Sequence, residues 1–256
     1  MSASADPTLY VIPGSHACRS AMLMLEHKGI PYRTVELRTG MHPYILRLKG
    51  FPGNDRAARS VEGETPGRLA MMNWAGTVPA LRFAAERIQT NREIARFLDR
   101  VSPDPPLLPE EPARRAAVEE AERWANGDLQ MSARRIALAG AAHGLDAFHQ
   151  RANSGRLGAL LAPSERQRVF MSRMAGAIFR ANPDSEGELL GALPGILDRV
   201  DALIADGVIA GANLNVADFM IVPSLALMAY RLDLRADIQA RAAGRLLERV
   251  LPEPTG

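Results

Sequence analysis

The sequence contains a single cysteine, Cys18, and only two lysines, Lys28 and Lys49. With one cysteine no intramolecular disulfide can form, which excludes the disulfide-stapled class of small secreted domains. No apolar run approaches the roughly 18 residues that a membrane-spanning helix needs. The first residues, Met-Ser-Ala-Ser-Ala-Asp-Pro, have neither the basic start nor the apolar core of a signal peptide. These absences predict a soluble, cytoplasmic protein with no membrane partner.

The chain also lacks a large excess of charge of either sign. It has 31 basic and 29 acidic residues, a formal net charge of +2 and a sequence pI of about 9.0. The basic residues are scattered among acidic ones and form no stripe interleaved with aromatic residues, of which there are only 5%. A nucleic-acid partner is therefore not expected, because binding a phosphate backbone needs a concentrated basic surface.

A metal site is not expected either. His143 and His149 lie six residues apart, which does not place them on one helical face, and no cysteine or acidic cluster accompanies them. The sequence therefore predicts a protein without a metal cofactor.

What the chain has is enough apolar sequence for one large domain or two of ordinary size, since 47% of its 256 residues are hydrophobic. The first hundred residues alternate between strand and helix periodicity. The predicted elements are strand 8–12, helix 17–28, strand 32–37, strand 78–83, strand 87–89 and helix 91–101. This β-α-β unit followed by a hairpin and a helix predicts an α/β, thioredoxin-like domain over residues 7–101.

Residues 102–112 carry five prolines and mark a linker, because proline interrupts both helices and sheets. Beyond it the pattern is helical, with predicted helices at 113–139, 164–180, 186–206, 216–230 and 235–250. A second, all-α domain is therefore predicted over residues 113–252.

The stretch from Arg38 to Gly76 is longer than an ordinary connection between two strands. Its second part, residues 54–76, is polar and rich in glycine, which is typical of an exposed insertion. Two interpretations stay open: a lid over a functional site, or a surface loop without a role.

The segment Ser15-His16-Ala-Cys18 follows a Pro-Gly turn and begins the first predicted helix, which Gly29 ends. Unpaired backbone N–H groups and the positive end of the helix dipole stabilise an anion such as a thiolate at this place. The arrangement therefore indicates thiol chemistry. Ser15 is also among the best helix N-caps, so a purely structural role for it is the alternative.

Several motifs, in order, resemble the cytosolic glutathione transferase superfamily, in its bacterial, Ser/Cys-type and divergent form. They are the Ser15-His-Ala-Cys18 turn, Leu25-Glu-His-Lys-Gly-Ile-Pro-Tyr32, Thr77-Val-Pro-Ala-Leu81, Ile88-Gln-Thr-Asn-Arg-Glu-Ile94 and Leu214-Asn-Val-Ala-Asp218. The last of these also has the pattern of a helix capping box. The resemblance covers nearly the whole chain and implies a thioredoxin-like N-terminal domain followed by a helical-bundle C-terminal domain.

The resemblance implies that glutathione, or a related thiol, is the co-substrate and that the partner is a small electrophile. Ser15 would stabilise the glutathione thiolate, and Val78 with a cis Pro79 would hold the cysteinyl backbone. The remaining implied residues are listed by role: His16, Thr90 and Asn91 for glutathione binding, and Trp124 and Met131 for the electrophile pocket. A homodimer is also implied. Thr90-Asn91 replaces the family's usual residue pair, and His16 stands where a proline is common.

Two other functions remain open at this stage. In one, Cys18 acts in thiol–disulfide reduction, whereas packing in the core is the structural alternative for this residue. In the other, the fold serves ligand binding or protein assembly without catalysis. For His16, an exposed turn residue is the structural alternative, and for Trp124 and Met131 it is core packing.

Overall fold

The computed structural model describes residues 7–38, 40–53, 76–143, 156–157, 179–181 and 183–253. The strands are β1 (Thr8–Val11), β2 (Arg33–Glu36), β3 (Ala80–Phe83) and β4 (Glu86–Gln89). The helices are α1 (His16–His27), α2 (His42–Leu48), α3 (Asn91–Val101), α4 (Pro112–Trp124), α5 (Gln130–His143), α6 (Pro183–Ala205), α7 (Val216–Ala229), α8 (Leu232–Gln239) and α9 (Ala242–Val250). A π-helical turn, Ala125–Leu129, joins α4 directly to α5.

The strands form one mixed sheet in the order β2-β1-β3-β4. β1 and β2 are parallel, as expected for strands joined by a helical crossover, here α1. β3 runs antiparallel to β1, with Tyr10 opposite Ala80, and β4 pairs with β3 as a hairpin. All of β1 is buried, because α1 and α3 cover the sheet with apolar side chains that include Met24, Leu25 and Leu98. The β-α-β unit, the hairpin and the following helix agree with the predicted α/β unit.

The helical part is built around α7, in which every residue is buried. α7 packs against α1 on one side and against α4 and α5 on the other, so it ties the sheet layer to the helices. The predicted capping box at its start is confirmed: Asn215 accepts from the Ala217 N–H, and Asp218 accepts from the Asn215 N–H. No helix in the described ranges is long and apolar enough to cross a membrane.

The predicted helix 235–250 is wrong, because the structure has two helices there. The chain turns between Gln239 and Ala242, and the Ala243 N–H donates to the Asp201 carboxylate at 2.8 Å. At Gly244 a Cβ would lie 2.4 Å from the Ile238 carbonyl oxygen, so this close approach requires glycine. The apolar residues keep a helical spacing across this turn, so the sequence pattern gives no sign of it.

Two further sequence predictions differ from the structure. Val101 has the apolar spacing of an inward-facing residue in the predicted helix 91–101, but it is exposed at the end of α3. A short helix, α2, occupies the first part of the stretch that looked like one long connection. The predicted insertion falls, except for Gly76, outside the described residues, as do most of the predicted helix 164–180 and His149.

Two buried charged groups hold the sheet layer and the helices together. The Lys28 ammonium at the end of α1 donates to Asp99 of α3 at 2.6 Å and to the Ser102 carbonyl at 2.6 Å. Asp99 in turn accepts the N–H groups of Leu107 and Leu108 in the proline-rich segment. The linker is therefore fixed by hydrogen bonds to α3.

The second group is Glu122 of α4, which is fully buried and pairs with Arg92 and Arg96 of α3. The Arg92 Nε lies 3.4 Å from the Glu122 carboxylate, and Arg96 makes a two-pronged contact with it. A buried carboxylate needs such partners, because an unpaired charge in the interior is costly.

Candidate functional site

Ser15 lies at the N-terminus of α1, immediately after a tight turn. The Ser15 N–H donates to the Ile12 carbonyl at 3.3 Å, with Pro13 and Gly14 at the two central positions and Gly14 at φ +70°. This is the proline–glycine chemistry of a type II turn. The Ser15 hydroxyl oxygen caps α1 by accepting the Cys18 N–H at 3.2 Å. A hydroxyl can also donate a hydrogen bond, and the Cys18 thiol, whose pKa the Ser15 side chain lowers, is one partner within its reach.

The segment Thr77-Val78-Pro79 leads into β3, and the Val78–Pro79 peptide bond is cis as predicted. Extending the register of β1 and β3 from Tyr10 opposite Ala80 places Val78 opposite Ile12, in the turn that leads to Ser15. Within the described residues the Val78 N–H donates to no protein acceptor. An extended ligand can therefore pair with this backbone as an additional strand would.

Thr90 and Asn91 begin α3 beside this segment. The Thr90 N–H donates to the Pro79 carbonyl at 3.3 Å, and the Thr90 hydroxyl caps the helix by accepting the Glu93 N–H. Thr90 has φ +70°, a conformation that a β-branched residue rarely adopts. Such an outlier at the start of a helix is the kind of strain found near binding sites.

Asn91 is 2% exposed, and its amide donates to the Ala17 carbonyl at 3.0 Å. Its side chain thus links the first turn of α3 to the first turn of α1. Its Oδ1 has no partner among the described residues. A ligand carboxylate at the start of α3 would meet the backbone N–H groups there, which helix ends leave unpaired, more readily than the Asn91 amide.

The structure therefore brings Ser15, Val78, Pro79, Thr90 and Asn91 together at one end of the sheet. Two helix N-termini, those of α1 and α3, meet there with the backbone of Val78, whose N–H has no partner in the described part of the chain. The positive ends of two helix dipoles favour negative charge on a ligand. All five residues were predicted from the sequence. The strand register and the hydrogen bonds show that they are neighbours in the fold.

His16 is 4% exposed, so the alternative of an exposed turn histidine is wrong. Burial is the main cause that lowers the pKa of His16 to about 3, and the positive charge of Arg134 lowers it further. A hydrogen bond to the Gln130 backbone at the start of α5 opposes these effects. His16 is thus neutral at physiological pH, and its Nε2 has no partner in the described part of the chain.

Cys18 lies one turn inside α1, is 1% exposed and packs in the apolar core. Burial raises the pKa of its thiol to about 11, although Ser15, the Ile12 backbone and Arg134 act in the opposite direction. A neutral, enclosed thiol is a poor nucleophile, because the thiolate is the reactive form. These properties weigh against redox chemistry at Cys18.

The two residues predicted for an electrophile pocket lie in different surroundings. Trp124 is buried at the end of α4, and the guanidinium of Arg199 from α6 lies over its ring at 4.5 Å. Met131 follows Gln130, which contacts His16, and is partly exposed. Of the two, Met131 is on the part of α5 that adjoins the start of α1.

Sequence analysis missed Arg134, which lies one turn beyond Gln130 on α5. Its charge acts on both His16 and Cys18, and its guanidinium lies over the Phe179 ring at 5.2 Å. Nothing local indicated this position, because adjacent arginines in an alanine-rich helix are typical of a solvent-facing surface. Among the residues that the structure describes, no group of three or more His, Cys, Asp or Glu side chains is placed to hold a metal ion.

Comparison with solved structures identifies the fold. A glutathione S-transferase from Ceriporiopsis subvermispora, solved in complex with glutathione, matches 96% of this chain and 98% of its own at TM-score 0.61 and 18% identity. A glutathione transferase from Phanerochaete chrysosporium matches 99% of both chains at TM-score 0.61 and 14% identity. A GST-like protein from Pseudomonas syringae matches 96% of this chain and 67% of its own at TM-score 0.59 and 17% identity.

No protein-family model and no curated protein matches the sequence. The structural matches nevertheless confirm the predicted fold class, a thioredoxin-like N-terminal part followed by a helical C-terminal part. At such low identity they establish the fold and leave function to the chemistry of the site.

Proposed function

We propose that this chain, which has the glutathione transferase fold, binds glutathione at the meeting point of α1, β3 and α3 and adds its thiol to a small electrophile. The observation that carries the proposal is the convergence of Ser15, the cis Val78–Pro79 segment and the start of α3. In this arrangement the Val78 backbone pairs with the cysteinyl unit, and the N-terminus of α3 at Thr90 and Asn91 receives the γ-glutamyl carboxylate. The sulfur then lies at the start of α1.

The proposed chemistry needs only the groups at the start of α1. The Ser15 hydroxyl donates to the glutathione sulfur, and the helix dipole adds to the stabilisation of the thiolate. The thiol proton leaves to solvent. The thiolate sulfur forms a bond to an electrophilic carbon, and the displaced group departs with its bonding electron pair. Orientation of the thiolate toward the bound electrophile supplies the remaining rate gain.

The proposal includes the homodimer that the family resemblance implies and the cytoplasmic location that the sequence predicts. His16 contributes by accepting a hydrogen bond from the ligand through its unpaired Nε2. Met131, at the start of α5, lies next to the bound electrophile. Trp124 is buried at the end of α4 and stabilises that helix by packing. A non-catalytic ligand-binding protein is the second candidate, because the Asn91 amide is already bonded to Ala17.

Glutathione binding and the pKa of the bound thiol together test the proposal. Titration calorimetry is expected to show saturable binding of glutathione, with free cysteine as the control ligand. The ultraviolet absorbance of the thiolate, followed against pH, then gives the pKa of the bound thiol. Ser15→Ala is expected to raise that pKa by about one unit, or about 1.4 kcal/mol, because one donor to the sulfur is lost.

Cys18→Ala is the matched control, since it removes the other candidate side chain on the same turn. It is expected to leave the pKa of bound glutathione within a few tenths of the wild-type value. Absence of binding at millimolar glutathione would overturn the proposal. Binding without a lowered pKa of the glutathione thiol would favour the non-catalytic function. Loss of thiol–disulfide reduction in Cys18→Ala, but not in Ser15→Ala, would favour the alternative in which Cys18 is the reactive group.

A further inference from the structure

A single peptide group links the start of α3 to the Ser15 hydroxyl. The Asn91 Nδ2 donates to the Ala17 carbonyl at 3.0 Å. The same peptide group carries the Cys18 N–H, which donates to the Ser15 Oγ at 3.2 Å. Because a peptide group is planar and rigid, the position of its carbonyl fixes the direction of its N–H. The Asn91 amide is thus connected to the Ser15 hydroxyl through one rigid unit.

Stability alone does not explain an asparagine at this position. Asn91 is 2% exposed, and its Oδ1 has no partner among the residues that the structure describes. A buried acceptor without a donor costs at least as much free energy as one ordinary hydrogen bond contributes. The Ala17 carbonyl does not need a second donor either, since it lies inside α1, where the helical pattern pairs it with a backbone N–H. The contact between Asn91 and Ala17 therefore calls for a functional reason.

Thr90, the residue before Asn91, lowers the stability of the same turn independently. Its φ is +70°, in the left-handed region that a β-branched residue rarely adopts. Its N–H donates to the Pro79 carbonyl and its hydroxyl accepts the Glu93 N–H, both at 3.3 Å, so contacts on both sides hold it in this conformation. Two adjacent unfavourable residues at the start of one helix are typical of a site that is kept for function.

We propose that Asn91 is a positioning residue that orients the Ser15 hydroxyl toward the ligand sulfur through the peptide group between them. The inference rests on the proposed function, because it needs a sulfur at the start of α1. The Asn91 side chain itself does not contact the ligand: its amide nitrogen donates to Ala17, and the backbone N–H groups of α3 receive the γ-glutamyl carboxylate.

The same hydrogen bonds also strengthen the Ser15 hydroxyl as a donor. Hydrogen bonds in a chain polarise one another. A donor on the Ala17 carbonyl makes the Cys18 N–H a stronger donor to the Ser15 Oγ. The Ser15 hydroxyl in turn becomes a stronger donor to the sulfur, which stabilises the thiolate.

Asn91→Leu tests the assignment, because leucine has nearly the same shape and removes both polar ends of the amide. The pKa of the bound glutathione thiol, followed by thiolate absorbance against pH, is expected to rise by about half a unit to one unit. The affinity for S-methylglutathione, measured by calorimetry, is expected to stay within about twofold of the wild type, since this ligand has no thiol to ionise. Urea unfolding is expected to show no loss of stability, because the unpaired Oδ1 is removed with the amide.

A double variant separates action through Ser15 from direct action on the sulfur. Ser15→Ala combined with Asn91→Leu is expected to give the same thiol pKa as Ser15→Ala alone, because no hydroxyl is left to orient. Ser20→Ala is the matched control, since the Ser20 hydroxyl donates to the neighbouring His16 carbonyl at 3.2 Å on the same turn, whereas Ser15 caps the N–H of Cys18. It is expected to leave the thiol pKa within about 0.3 units of the wild type.

Three results would overturn the inference and leave the proposed function standing. An unchanged thiol pKa in Asn91→Leu would show that the contact with Ala17 is only structural. Affinity for S-methylglutathione reduced about tenfold or more would show that the amide contacts the ligand directly. Additive rises in the double variant would show that Asn91 does not act through Ser15. Failure of the wild-type protein to bind either glutathione or S-methylglutathione at millimolar concentration would reject the proposed function and this inference together.

Discussion

His16 and Cys18 lie on the first turn of α1 beside Ser15, and burial keeps both uncharged. The first turn of a helix would otherwise favour a thiolate and disfavour a protonated imidazole, since its dipole end is positive. For Cys18, the loss of hydration on burial outweighs the stabilisation of the thiolate by the helix dipole, so the pKa of the thiol rises. For His16, loss of water and the charge of Arg134 act together, and the pKa falls. The proposed function therefore assigns the contact with the ligand sulfur at this turn to Ser15, which is partly exposed.

The lowered pKa of His16 predicts a loss of stability in mild acid. The pKa is 6.5 for an ordinary histidine and about 3 in the fold. Between these values the unfolded chain binds a proton that the native state does not, so the free energy of unfolding falls as the pH falls. From about pH 7 to pH 5 the expected contribution of His16 is about 2 kcal/mol. Urea unfolding across this range measures it.

His16→Gln removes the titrating group and is expected to remove this contribution. Other histidines titrate in both proteins and cancel in the difference between them. Equal acid sensitivity of the wild type and His16→Gln would show that His16 is not held neutral by the fold.

At the scale of elements, the ends of the helices decide where the chain changes direction. α7 begins at a complete capping box, although its residues are almost all apolar and give it no amphipathic face. Asp218 is fully buried and accepts two backbone N–H groups, from Ala210 at 2.7 Å and from Asn215 at 2.9 Å. These bonds tie the preceding loop to the helix that packs against α1.

Asp218→Ala is expected to lower the free energy of unfolding by about 2–4 kcal/mol, because it leaves two buried N–H groups without acceptors. Urea denaturation followed by circular dichroism measures the change. Asp206→Ala is the control, since Asp206 is exposed, and it is expected to stay within about 0.5 kcal/mol of the wild type. Similar stability losses in the two variants would contradict the role assigned to the capping box.

At the scale of the whole molecule, buried charges join the sheet layer to the helices. Glu122 of α4 faces Arg92 and Arg96 of α3 across the junction that lies behind the proposed binding site. The position of α3 relative to α4 and α5 therefore depends in part on this contact.

Glu122→Gln is expected to reduce the free energy of unfolding by about 1–3 kcal/mol, as measured by urea denaturation. The loss stays moderate because both arginines are partly exposed and keep access to water. Glu120→Gln is the control: this carboxylate is well exposed, its nearest cation is Arg199 at 3.9 Å, and no more than about 0.5 kcal/mol is expected. A loss in Glu122→Gln no larger than in the control would reject the junction as a source of stability.

Local chemistry was enough to predict part of this protein. The Pro13-Gly14 turn, the Ser15 cap and the Asn215–Asp218 capping box are local features with short-range signatures, whereas the cis Pro79 was expected only from the family resemblance. The alternating strand and helix patterns of the first hundred residues have the same origin. Periodicity and caps involve residues only a few positions apart, so a sequence displays them directly.

The tertiary structure decided the rest. The neutrality of His16 and the enclosure of Cys18 come from burial of the first turn of α1 by parts of the chain that are distant in the sequence. The pairing of Lys28 with Asp99 and of Glu122 with two arginines joins residues that are 71 and 26 positions apart. Burial and charge act through space between residues that are far apart in the chain, so no local pattern of the sequence displays them.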